Sequence, residues 1–205
     1  MPSLKSLPRL MFALSLAGGA ALAATAVGQA APTFSATDAS GKAVSLADLK
    51  GKTVVLEWVN PECPYVRKHY DSANMQATQK AATGKAVVWL SVNSTHAGHE
   101  DFKKPAEMLA WAQKQGAAPT ATLMDGEGKI GRAYGARTMP HMVVIDAKGA
   151  LVYAGGIDDK PSANPADVKG AKNYVNAALA DVLAGKPVAQ PVTRAYGCSV
   201  KYGDG

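Results

Sequence analysis

Two short stretches carry apolar side chains at nearly every position and are rich in β-branched residues: 53–59, Thr-Val-Val-Leu-Glu-Trp-Val, and 86–92, Ala-Val-Val-Trp-Leu-Ser-Val. Runs of this length and density mark strands covered on both faces. A helical pattern follows each. After the first, Pro61 ends the strand, Pro64 suits a first helical turn, and residues 65–82 read as one helix. After the second, residues 104–115 read as a helix with Leu109 and Trp111 among its apolar members, and Gly116 supplies a stop.

The remaining pattern is more broken. Residues 33–49 alternate apolar and polar positions around Gly41-Lys42, as a hairpin followed by a short helical turn does. Leu123 begins a short extended piece, and residues 130–134 suit one or two helical turns. Residues 142–146 and 151–154 read as strands; the loop Ala147-Lys148-Gly149 is too short for anything but an antiparallel hairpin. Residues 158–167 are polar loop, with Asp158-Asp159 expected as a solvated turn, and 170–183 form a last helix closed by Gly185-Lys186-Pro187. These alternations predict an α/β fold: a central mixed sheet flanked by helices, an N-terminal hairpin addition and a C-terminal tail. No repeat or linker divides it, so residues 31–187 make one domain and 188–205 the tail.

The opening residues do not belong to that pattern. Lys5 and Arg9 precede an apolar run, 10–27, and Gly28-Gln29-Ala30 is a small-residue exit, which together read as a secretory signal peptide over residues 1–30. The expected product is an exported protein with no stable membrane insertion after cleavage, placed in the periplasm where the source has two membranes. Loss of Lys5 and Arg9 lowers the formal net charge from +6 to +4, and the other basic residues are scattered, which argues against nucleic acid as a partner.

Chemistry concentrates at the end of the first buried strand. Cys63 lies past its carboxyl end and before a helix, where backbone N–H groups and the helix dipole favour a thiolate. Lys68 and His69 add positive potential if they face it. Only one other cysteine exists, Cys198, in Tyr196-Gly197-Cys198-Ser199, where Gly197 permits close backbone approach. In an oxidising compartment the two read either as a reversible couple or as a permanent staple, which over 135 positions would stabilise by about 4 to 5 kcal/mol in the chain-entropy model.

Trp58-Val59-Asn60-Pro61-Glu62-Cys63-Pro64-Tyr65-Val66, together with Thr138-Met139-Pro140-His141, resembles the active-site pair of the thioredoxin-like superfamily, closest to its exported TlpA-like and AhpC/TSA-like redoxin branches. The element order is also that of the thioredoxin fold. The resemblance implies that Cys63 is the attacking thiol and that Pro140 is a cis-proline, leaving the backbone at Met139 free to pair with a substrate chain. One departure matters: the fourth position of the C-x-x-C motif is Val66, so the resolving thiol must come from elsewhere, and Cys198 is the candidate within the chain.

The implied activity is thiol–disulfide exchange, with a thiol or disulfide protein or a small-molecule oxidant as substrate, an external reductant and no cofactor. The alternative is a peroxiredoxin-like thiol peroxidase, an antioxidant. Such enzymes carry Thr or Ser three positions before the cysteine and an Arg near the late strand; here Asn60 and Arg137 stand in for them. A third reading is a copper-binding protein using Cys63 with His69, His141 or Met139. His141 also suits tuning of Cys63, and Tyr65 is a surface residue that meets substrates. His96 and His99 read as a solvated loop, and Trp58 and Trp89 as core. Glu57, a carboxylate inside a buried strand, calls for a partner; a lysine is expected, and a proton-accepting role toward the thiol is the alternative.

Overall fold

The computed structural model describes residues 25–203, so most of the predicted export segment, residues 1–24, lies outside the described residues. The two apolar runs form the middle of a five-stranded sheet. β3 (Val54–Trp58) and β4 (Val88–Asn93) pair in parallel with Leu56 opposite Leu90, and every residue of both is buried. β5 (Ala121–Met124) continues the parallel side. On the other side β7 (Met142–Ile145) runs antiparallel to β3, and β8 (Leu151–Gly155) returns beside it as the expected hairpin. The order is β5-β4-β3-β7-β8, and β1 (Ser35–Thr37) with β2 (Ala43–Ser45) forms the separate N-terminal hairpin. Gly28 and Ala31 hydrogen-bond through their backbones to Leu151 and Gly149.

The predicted helix over 65–82 is two helices, α1 (Pro64–Asp71) and α2 (Asn74–Thr83). The break has a local cause. The Ser72 hydroxyl donates back to the Lys68 carbonyl at 2.7 Å, the Gln76 amide donates to the Tyr70 carbonyl at 2.8 Å, and Ala73 takes φ 59°. The Tyr70 carbonyl, which a continuing helix would pair with Asn74 N–H, is instead taken by Ala73 N–H at 3.1 Å and by the Gln76 side chain. α3 (Pro105–Lys114) and α4 (Lys129–Ala133) lie within two residues of expectation, although Met108 rather than Leu109 faces the core. α5 (Tyr174–Leu183) starts later than predicted because Asn173 caps it, accepting from Asn176 N–H at 2.9 Å.

The tail is docked along its length. Thr193 and Pro191 bond to Ala154 at the edge of β8; Cys198–Ser199 forms β9, antiparallel to β6 (Thr138–Met139); and the Tyr202 hydroxyl donates to the Ala136 carbonyl at 2.6 Å. Among the described residues no helix is long and apolar enough to cross a membrane.

Candidate redox site

The turn after β3 presents Cys63. The Asn60 side-chain oxygen accepts from Glu62 N–H at 2.8 Å, its carbonyl accepts from Cys63 N–H at 3.1 Å, and its amide donates to Thr95 Oγ1 at 2.7 Å and to the Asp101 carbonyl at 3.3 Å. Cys63 then serves as the N-cap of α1 with Pro64 at the first helical position. No side chain caps this end and no acidic residue lies in its first turn, so the helix N-terminus is open to stabilise negative charge on sulfur.

Three segments converge on that sulfur. Met139-Pro140 is a cis peptide, and the Met139 carbonyl oxygen lies 3.3 Å from Cys63 Sγ. Met139 is also the register partner of Cys198 in the β6–β9 ladder. Cys63 and Cys198 are joined as a disulfide with their Cα atoms 6.0 Å apart, within the normal span of such a bridge. Gly197 has φ 132°, and a Cβ there would overlap the Met139 carbonyl, so the close approach of β9 to β6 requires glycine.

Beneath β9 lies a cluster that sequence reasoning missed. Asp158 is buried, not solvated: it pairs with the fully buried Lys68 at 3.3 Å and accepts a short hydrogen bond from the Tyr196 hydroxyl. Lys68 also donates to that hydroxyl at 3.2 Å and to the Lys160 carbonyl at 2.6 Å. His69 Nε2 reaches the same hydroxyl at 3.3 Å while its Nδ1 accepts from Asn74 at 2.9 Å. Burial pushes His69 down to about 4, so the ring is neutral at ordinary pH. Lys68 and His69 are thus engaged with Asp158 and the tail. The signal that was present is the pairing of Tyr196 with Cys198 two residues on, which in a strand puts both side chains on one face.

The other predicted residues divide. Tyr65 is half-buried, with its ring centroid 6.0 Å from that of Tyr196, and borders a cleft of about 470 Å³ shared with Thr138, Pro161, Tyr174 and Arg194. His141 packs edge-on against Trp58 at 5.6 Å, and burial holds it down at about 4. Arg137 is exposed, and only its backbone carbonyl is engaged, by Val200 N–H at 3.0 Å. Glu57 has no lysine: Tyr70, Gln79, Trp89 and Ser91 donate to it at 2.7–3.0 Å. Burial raises its pKa against those four bonds. Four neutral donors replace the expected cation, because side chains from α1, α2 and β4 meet over β3 at this point. Among the described residues no group of three or more His, Cys, Asp or Glu side chains is placed to hold a metal ion.

A cysteine capping a helix beside a cis-proline, at the end of the central strand of a mixed sheet, defines a thioredoxin-fold redox protein. The family description AhpC/TSA matches residues 27–154, more than half of the chain, and the chain belongs to that family. Thiol-disulfide oxidoreductase ResA of Bacillus thuringiensis subsp. konkukian is 27% identical over 126 residues, 62% of this chain and 67% of its own. Among solved structures, an uncharacterized conserved protein from Geobacillus kaustophilus superposes with a TM-score of 0.75 at 26% identity, covering 88% of this chain and 94% of that one. A hypothetical protein from Sinorhizobium meliloti gives a TM-score of 0.75 at 23% identity, covering 89% and 98%.

Proposed function

We propose that this protein is an exported thiol–disulfide oxidoreductase in which Cys63 is the attacking thiol and Cys198 resolves the product. The observation that carries the reading is the pairing of Cys198 with Met139, the residue before the cis-proline, while its sulfur is bonded to Cys63. In the reduced protein the Cys63 thiolate, held at the start of α1, attacks a substrate disulfide; one substrate sulfur leaves with the electron pair and the other remains on Cys63. Cys198, deprotonated, then attacks Cys63 Sγ and expels the second substrate sulfur, giving the Cys63–Cys198 disulfide. An external dithiol reverses these steps to regenerate the enzyme. The likeness to ResA supports exchange as the activity.

Peroxide reduction finds less support. The Asn60 amide is fully committed to Thr95 and Asp101, so it is not free to orient a peroxide at Cys63, and the exposed Arg137 is held toward Cys63 by no side-chain contact among the described residues. Export rests on Lys5, Arg9 and the apolar run 10–27, with the periplasm as destination in a two-membrane cell. The test compares the second-order rates of the fully reduced protein with hydrogen peroxide and with a small disulfide, with Cys63→Ser as control. Fast disulfide and slow peroxide reaction is expected; the reverse order overturns the reading.

A further inference from the structure

The family match ends at residue 154, so Asp158 and the whole tail lie beyond it. Yet the tail occupies the ground an incoming chain must use to reach Cys63. β9 takes the free edge of β6, Gly197 lies against the Met139 carbonyl, and Tyr196 sends its hydroxyl down among Lys68, His69 and Asp158. For an intermolecular disulfide to form on Cys63, this segment has to lift away. It then leaves behind an edge strand that selects glycine by lack of space, and beside it a polar socket already shaped around a phenol.

Resting on the exchange reading, we propose that the partner is an extended polypeptide whose reacting cysteine follows a glycine, with a tyrosine two residues before it, and that Lys68, His69 and Asp158 form the pocket that reads the tyrosine. Backbone pairing along β6 holds such a chain, and pockets for alternate side chains give selectivity. The tail's Tyr-Gly-Cys is this motif displayed in cis, which lets it displace the partner once the partner's sulfur is bonded to Cys63, Cys198 attacking Cys63 Sγ and the partner leaving as its thiolate. The pocket is demanding because Lys68 and Asp158 are both buried: a phenol supplies a donor to the carboxylate and an acceptor to the ammonium, whereas a phenyl ring supplies neither.

The test uses reduced full-length protein carrying Cys198→Ser with Tyr196→Ala, which vacates the pocket, and the single Cys198→Ser variant, in which Tyr196 still competes. Each reacts with heptapeptides Arg-Ala-X-Gly-Cys-Ser-Val whose cysteine is joined to 5-thio-2-nitrobenzoate. The Cys63 thiolate bonds to the peptide sulfur, the S–S bond to the reagent breaks, and the coloured thiolate departs with the electron pair. With X as Tyr the double variant should react roughly tenfold faster than with Phe, and faster still than with Ala. Replacing the peptide glycine by alanine should slow the tyrosine peptide by roughly tenfold or more, and the single variant should show a smaller preference. Equal rates for all peptides, with Cys63 still reacting readily, overturn the pocket and leave exchange standing. If neither the peptides nor the symmetrical disulfide of 5-thio-2-nitrobenzoate reacts with Cys63 faster than with an ordinary thiol, the exchange reading falls and the pocket with it.

Discussion

Replacing Tyr196 by phenylalanine removes one oxygen from the interior and should be read at the disulfide. That oxygen donates to Asp158 and accepts from Lys68 at 3.2 Å and His69 at 3.3 Å. Nothing charged is stranded by its loss: Asp158 keeps Lys68 at 3.3 Å and Lys160 N–H at 3.0 Å, and Lys68 keeps the Lys160 carbonyl. The bonds to Asp158 and Lys68 are lost and the buried His69 Nε2 is left without its hydrogen-bond partner, so the cost is at least about 2 kcal/mol. The docked tail holds Cys198 against Cys63, so this loss falls on the disulfide form. With 30 mV equivalent to about 1.4 kcal/mol for two electrons, the potential of the couple should become less negative by at least about 40 mV. Equilibration in glutathione or dithiothreitol buffers, followed by alkylation and mass measurement, gives that number. Tyr65→Phe, at the rim of the same cleft, should leave it unchanged. A Tyr196→Phe potential within about 10 mV of the unsubstituted protein, or shifted to more negative values, refutes the coupling.

Three other perturbations follow from the same contacts. Gly197→Ala places a Cβ on the Met139 carbonyl, so closure of the Cys63–Cys198 disulfide should slow by roughly tenfold or more in stopped-flow oxidation. Folded His69 takes its proton only near pH 4, against an ordinary 6.5, so the unfolded chain binds more protons in between and the stability contribution, complete above 6.5, is lost as pH falls. Relative to His69→Gln, the protein should lose about 1.4 kcal/mol per pH unit across that window in denaturant titrations, and parallel curves would contradict this. Glu57→Gln turns an amide toward four donors and should cost about 1 to 3 kcal/mol of stability. Because none of those donors is a cysteine, its Cys63 exchange rate should stay within about twofold, and a larger drop would restore the proton-accepting role.

The sheet was legible because β3 and β4 are buried on both faces and write that fact as continuous apolar runs, and because a connection as short as residues 146–150 leaves β7 and β8 no other arrangement. Cys63, Pro140 and Cys198 stood out as the chain's only thiols and an isolated X-Pro step. What stayed hidden depends on distant partners. Asp158 follows a strand and precedes a polar loop, and only the arrival of Tyr196, 38 positions later, closes it from water. Lys68 looks like an ordinary surface residue of α1 until Asp158 covers it. Glu57 announced itself as costly, but its four neutral donors come from α1, α2 and β4, and no local pattern assembles them. The division of 65–82 turned on Ser72 and Gln76 bonding back to α1, a competition that helical periodicity does not record.

The central claim is that Cys63 attacks and Cys198 resolves. It is tested most directly by mixing reduced protein with one equivalent of a peptide disulfide, quenching in acid and measuring intact mass over time. The account predicts a transient adduct on Cys63 that gives way to the Cys63–Cys198 disulfide, a persistent adduct in Cys198→Ser, and no adduct in Cys63→Ser on the same timescale. An adduct forming on Cys198 in Cys63→Ser as fast as in the unsubstituted protein, or a Cys63 adduct that Cys198 never displaces, would contradict it.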